Sequence, residues 1–278
     1  MGRICVLDAK AGEALRKMGM PLGAFTEKWA IDNGDRLIEF HESCVEAGST
    51  VLYALTAGIN SLAMERFGVS GSIDEMCRRA IELTRTAAGD KAMVAGTMGP
   101  SGKRPAPFGD GDWYELLGLF TEQVRGIENA GADMFALVSQ RYVSEAAIAL
   151  EAVRNMSDKA VSVSFRFGEN GKTADGYSPA EALEQLSCWG LCAFGADDVG
   201  SEEVNLAIVK ELKACSEGTI VMRPSAGVPV IGPEGVGYSA SPEQFAALCA
   251  RLADAGATHI GGGSGTDAAY IAALKATV

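Results

Sequence analysis

The stretch Ala257-Thr258-His259-Ile260-Gly261-Gly262-Gly263-Ser264-Gly265-Thr266-Asp267 decides how this chain is read. A short apolar run enters it, four glycines in five residues follow, and an alanine-rich helical pattern leaves it. Glycine tolerates positive φ and lets backbone approach closely. A Gly-rich strand-to-helix turn also aims free N–H groups at whatever sits there. Taken alone, the stretch reads either as a tight βα turn closing a sheet or barrel, or as a cradle for a phosphate.

Working outward, the same unit recurs. Strand-like runs stand at Arg3–Ala9, Thr50–Thr56, Met93–Met98, Asp133–Ser139, Ala160–Phe167, Cys192–Asp198, Thr219–Met222 and Thr258–Gly261. Each is followed by a helical pattern, among them Gly12–Met18, Asp32–Ala47, Ile73–Ala88, Trp113–Ala130 and Ser144–Asn155, where Ser144 is the expected N-cap. Ser178-Pro179 and Ser241-Pro242 each start a helix, with Pro at its first position. Regular βα alternation implies a parallel sheet. Eight units in this length predict an α/β fold, a single (β/α)8 TIM barrel spanning residues 1–278. A doubly wound sheet is the alternative, but no G-x-G-x-x-G follows the first strand.

The net charge of −12 argues against nucleic acid or an anionic membrane as partner. No apolar run reaches the ~18 residues of a membrane span, and no secretory pattern opens the chain. Seven scattered cysteines do not form a disulfide framework. Cys5, Cys44, Cys77, Cys215 and Cys249 are expected to be buried, and Cys188-x3-Cys192 lacks a second pair for a metal clip. A soluble, cytoplasmic protein is expected, and a homodimer is left open.

In a barrel the active site lies at the C-terminal ends of the strands. The polar residues there are Asp8 and Lys10, Thr56 and Asn60, Ser139 and Arg141, Arg166, Asp197 and Asp198, Arg223 and Ser225, then Gly263 and Ser264. Met98-Gly99-Pro100-Ser101 ends the third strand. The ring holds four cations and three carboxylates. Two readings stand side by side. Lys10, Arg166 and Arg223 converge on an anionic substrate group, or Lys10 or Arg223 neutralises Asp198. His41 and His259 are expected to pack.

These motifs resemble, in order, those of the homocysteine S-methyltransferase family, which includes the amino-terminal domain of cobalamin-dependent methionine synthase. Val6-Leu7-Asp8 with Gly12 is similar to its opening motif, and Ile38-x-x-His41 with Ala47-Gly48 to its second unit. Thr56-Ala57-Gly58-Ile59-Asn60 resembles its Thr-Phe-Gly-Ala-Asn stretch. Val94 to Gly102 resembles its third-strand motif, and Pro224-Ser225-Ala226-Gly227-Val228-Pro229 its Pro-Asn-Ala-Gly-Leu-Pro. The opening stretch lines up with Ile-Gly-Gly-Cys-Cys-Gly-Thr. The resemblance covers essentially the whole chain and implies a TIM barrel and methyl transfer.

It also implies a zinc ion on three cysteines, which lowers the pKa of the homocysteine thiol. Here those positions fall on Asp198, Gly263 and Ser264, and a family Glu-Thr pair becomes Val138-Ser139. None of the three sulfurs remains, so no metal ligand is expected. The leading expectation is a methyltransferase that moves a methyl group between a small, anionic methylated substrate and a corrinoid (cobalamin) carried by a separate protein. Asp8, Lys10, Asp198 and Arg223 are the expected catalytic residues. Thr56, Asn60, Ser139, Arg166, Ser225, Gly263 and Ser264 are expected to bind substrate. The alternatives are a thiol S-methyltransferase with atypical metal ligands and a non-catalytic binding barrel.

Overall fold

The computed structural model describes residues 4–232 and 235–278. Its strands are β1 (Cys5–Val6), β2 (Val51–Ala54), β3 (Met93–Met98), β4 (Met134–Gln140), β5 (Val161–Phe165), β6 (Ala193–Asp197), β7 (Ile220–Arg223), β8 (Pro229–Gly232), β9 (Gly235–Tyr238) and β10 (His259–Ile260). Eight of them form one parallel sheet in the order β1-β10-β7-β6-β5-β4-β3-β2. A parallel bridge from Leu7 to Val51 joins its two edges, so the sheet closes into the predicted (β/α)8 barrel.

The first helices are α1 (Ala11–Lys17), α2 (Thr26–Asp32), α3 (Gly34–Glu46), α4 (Ser61–Arg66), α5 (Ile73–Ala88) and α6 (Trp113–Asn129). They continue with α7 (Val143–Met156), α8 (Pro179–Leu186), α9 (Glu202–Cys215), α10 (Pro242–Ala255) and α11 (Ala268–Thr277). Both Ser-Pro starts are full capping boxes, with Glu181 and Gln244 answering Ser178 and Ser241. Alternation sorts each strand's side chains. Val6, Leu52, Val94, Phe135, Val163, Phe194 and Met222 face the helices, while Leu7, Val51, Tyr53, Ala95, Ala136, Ala193 and Val221 fill the interior. The alanines leave the interior volume to Tyr53, which becomes the platform for the site above it.

Several sequence expectations need correction. The helix predicted over 32–47 is α3, but the preceding α2 was not foreseen; the two part at Asn33, which leaves helical geometry while its side chain bonds back to the Trp29 carbonyl. The cap of α7 is Tyr142, two residues earlier than expected, and the Ser144 hydroxyl is buried without a partner. Cys215, expected to be buried, is exposed at the last position of α9, and Cys5 is only half-buried. The antiparallel hairpin β8–β9 was not foreseen, because its glycines masked the strand pattern.

Candidate active site

The ends of β1, β4, β6, β7 and β10 bring one polar cluster together. Asp198 stands at its centre. Its Oδ1 accepts from the Ser264 backbone N–H at 2.8 Å and the Ser264 hydroxyl at 2.9 Å. Its Oδ2 accepts from the Lys10 ammonium and, at 3.2 Å, from the Ser139 hydroxyl. Burial would raise this carboxyl, but the charge and hydrogen bond of Lys10, with the donors of Ser264, hold it down to about 2. Asp198 is therefore an ionised carboxylate that pins the ammonium.

Asp197 points into the barrel beside it. Its Oδ2 accepts from the Ser139 N–H at 2.8 Å and the Ser164 hydroxyl at 3.1 Å, while its Oδ1 is buried with no partner. Burial first, then the neighbouring Asp198 charge, push its carboxyl up to about 6. Ser139 and Asp198 are the two non-glycine residues at positive φ among the described residues, both at 54°. Such backbone costs on the order of 1–3 kcal/mol per residue and persists where the surroundings over-determine it. Here a register irregularity between Leu137 and Gln140 turns Ser139 toward both carboxylates.

A second ion pair lies inside the barrel. Arg223, at the end of β7, donates to Asp8 Oδ1 at 3.0 Å, and its guanidinium sits 4.2 Å from the centre of the Tyr53 ring. Asp8 Oδ2 accepts from the Tyr53 N–H at 2.7 Å. Burial raises Asp8 to about 6 even though Arg223 opposes it. His41 Nε2 lies 3.9 Å from Asp8, and burial lowers the imidazole to about 4, so it packs as a neutral ring.

Above these pairs opens a cleft of about 570 Å³. Asp198, Ser225, Ser264, Arg166, Phe167 and Tyr238 are among its lining residues. Lys10 is paired to Asp198, the partner the neutralising reading names, whereas Arg223 is paired to Asp8 instead. Arg166 is exposed at the cleft edge and has no ion pair among the described residues. Arg141 is exposed on the neighbouring loop.

Two expected substrate residues stand apart from the cluster. Thr56 is fully buried, donating to the Thr97 carbonyl and accepting from the Thr97 N–H, both at 2.8 Å, which ties β2 to β3. Asn60 caps α4 through Ala63 N–H at 2.8 Å. Gly263 contributes backbone alone. A Cβ there would lie 2.5 Å from the Arg223 carbonyl oxygen and 2.8 Å from that of Pro224. Sequence reasoning missed Tyr238, Ser164 and Glu13, whose Oε2 accepts from the Gly265 N–H at 3.3 Å. Only the inward phase of β5 could have pointed to Ser164.

The zinc implied by the resemblance does not fit these residues. Gly263 offers no side chain and no room for one, Ser264 donates its hydroxyl to Asp198, and Asp198 is already held by an ammonium. No group of three His, Cys, Asp or Glu side chains suited to a metal occurs among the described residues.

A closed parallel barrel with a polar cluster at its strand ends defines the class of TIM-barrel enzymes. A sequence model described as homocysteine S-methyltransferase matches residues 5–278, and the chain belongs to that family of methyl-transfer enzymes. It is 23% identical over 294 residues to methionine synthase of Mycobacterium tuberculosis, covering 99% of this chain and 25% of that protein. Against methionine synthase of Mycobacterium leprae it is 24% identical over 256 residues, covering 88% and 21%. The chain thus spans about a quarter of the length of these curated relatives. The metallated form of the homocysteine methyltransferase MmuM from Escherichia coli superposes with a TM-score of 0.85 at 20% identity, covering 100% of this chain and 97% of that one. Its apo form gives 0.79 at 22%, covering 100% and 97%. These likenesses carry the fold. No helix among the described residues is long and apolar enough to cross a membrane.

Proposed function

We propose that this barrel, read as one unit over residues 1–278, transfers a methyl group from a small methylated donor to a reduced corrinoid held by a partner protein in the cytoplasm. The observation that supports this reading is the Lys10–Asp198 pair at the cleft, where the family resemblance would put metal-binding sulfurs. A metal there would serve a thiol nucleophile. An ammonium instead serves a leaving group. As the carbon–oxygen or carbon–nitrogen bond of the donor breaks, its electron pair stays on the heteroatom and Lys10 Nζ passes it a proton. A corrinoid bound by the partner would supply the electron pair for the new bond to the methyl carbon. The Lys10 side chain is 39% exposed, so water returns its proton. Asp198 holds the ammonium in register, Ser264 and Ser139 set Asp198, and the Asp8–Arg223 pair supports the floor. Arg166 attracts an anionic group on the donor, and Ser225 lines its path.

The same ammonium favours a second reading, since a cation beside a thiol lowers its pKa. In that version homocysteine or another thiol is the acceptor. Incubation of the purified protein with a reduced corrinoid protein and a panel of methoxy and methylamine donors tests the first reading through the corrinoid absorbance. Methylation that depends on Lys10 is expected. Methylation of homocysteine that depends on Lys10, with none of the corrinoid, would hand the site to the second.

A further inference from the structure

The hairpin β8–β9 follows β7 and rises beside the cleft. Its foot is fixed by three backbone hydrogen bonds: Ala240 N–H to the Ala226 carbonyl at 3.0 Å, Ser239 N–H to the Val228 carbonyl at 3.1 Å, and Gly227 N–H to the Ser225 carbonyl at 2.7 Å. Tyr238 pairs with Pro229 across the ribbon, and Ile231 with Val236. Residues opposite one another on an antiparallel pair share a face, as do residues two apart along a strand. Pro229, Tyr238, Ile231 and Val236 therefore occupy one face of the hairpin.

The inner half of that face, Pro229 and Tyr238, lines the cleft. Its outer half is apolar and open to solvent, with Ile231 at 89% and Val236 at 55% exposure. Tyr238 is seated against Gly265, whose missing side chain makes room for the ring. Burial and the Glu13 charge raise its phenol, while a hydrogen bond with Ser264 opposes them. The ring thus stands over the turn that carries Ser264, next to the Asp198–Lys10 pair. Phe167, from the end of β5, is the second aromatic lining the same cleft. A polar, proton-bearing floor therefore continues into an aromatic and aliphatic wall that leads out to solvent.

Resting on the proposed methyl transfer, we infer that this hairpin face is the specificity wall of the site, and that the donor is a methylated compound with a planar apolar body, of the aryl methyl ether type. Its methylated heteroatom meets Lys10, its ring lies against Tyr238, and its far edge extends along Ile231 and Val236. A compact aliphatic donor leaves this wall in water and gains nothing from it. Tyr238 acts by contact, so its ring matters more than its hydroxyl.

Calorimetric binding of 2-methoxyphenol and of dimethylamine to the whole protein tests this without requiring turnover. Tighter binding of 2-methoxyphenol is expected. Tyr238→Ala should weaken it by about tenfold and Tyr238→Phe by less than about threefold, as loss of ring burial predicts. Ile231→Ser with Val236→Ser changes two exposed side chains, which leaves the core untouched, and should weaken 2-methoxyphenol about three- to tenfold while narrowing its advantage over dimethylamine. Equal binding of the two probes, binding of neither, or variants that weaken both alike would overturn the wall. Methyl transfer that persists without this selectivity keeps the proposed reaction and removes the wall. Tyr238-dependent binding with no methyl transfer to corrinoid from any donor does the reverse.

Discussion

Lys10 and Asp198 lie 188 residues apart in the chain, yet the ammonium of one and the carboxylate of the other meet at the barrel mouth. The pair joins the loop after the first strand to the loop after the sixth, and Ser264 ties both to the glycine turn after the last strand. Its partners are unequal. Asp198 is buried and lines the cleft, whereas the Lys10 side chain is partly exposed.

Replacing Lys10 by Met removes the proton donor and leaves the fold, since its side chain is partly exposed. Activity should fall about 10²- to 10⁴-fold, the range of a lost general acid. Lys10→Arg keeps the charge but holds its proton too tightly, and should recover less than about a tenth of the loss. Steady-state kinetics with a donor that methylates the corrinoid protein measure both. An unaltered kcat in Lys10→Met would remove Lys10 from the mechanism.

Stability should depend on pH in two opposing ways. Asp198 is held down to about 2 from 3.8, so its contribution is present above pH 3.8 and is lost as pH falls through 2. Asp8 and Asp197 are held up at about 6, so each contributes most below pH 3.8, a contribution lost as pH rises through 6. Denaturant unfolding across pH 3 to 8 should therefore show stability declining between about pH 4 and 6 and then levelling. Asp197→Asn should flatten that decline. A curve that rises steadily from pH 4 to 7 would contradict the buried, protonated carboxyls.

Arg223→Met leaves Asp8 without its counter-charge in the barrel interior, and should cost about 3–5 kcal/mol at pH 8. Below pH 6 the Asp8 carboxyl takes up a proton, and the penalty should shrink. Thermal melts of the variant and the parent at pH 5 and pH 8 give the comparison. A penalty that is equal at both would mean that Asp8 is not the group Arg223 serves.

Gly263→Ala places a methyl group against two backbone carbonyls that cannot swing aside. Overpacking of this kind costs about 1–3 kcal/mol, which for a chain of this size lowers Tm by about 2–10 °C. Gly12, where an added Cβ meets nothing within 4 Å, is the control position, and Gly12→Ala should change Tm little. If Gly263→Ala melts like the parent, the backbone there is looser than the geometry shows.

Much of the fold was legible because its signals are local. The apolar runs ending at Met98, Asp198 and Gly261, and the Ser-Pro starts of α8 and α10, are written in consecutive residues, and helix and strand periodicities follow from them. The ring of polar residues was legible too, since a barrel puts the ends of its strands on one face. The hairpin β8–β9 was not, because three glycines and a valine-rich stretch read as loop until the two arms pair. With it Tyr238 was missed.

The sequence by itself determined a parallel βα barrel, the polar positions around its mouth and the loss of the family's sulfurs at Gly263 and Ser264. Only the tertiary structure decided which cation answers which carboxylate. Lys10 serves Asp198 while Arg223 turns inward to Asp8 and Tyr53, and Thr56 and Asn60 spend their hydrogen bonds on β3 and α4. The physical reason is that strand alternation and a register irregularity of one strand set where each side chain points, while Coulomb attraction and desolvation then act on distances that no spacing along the chain contains.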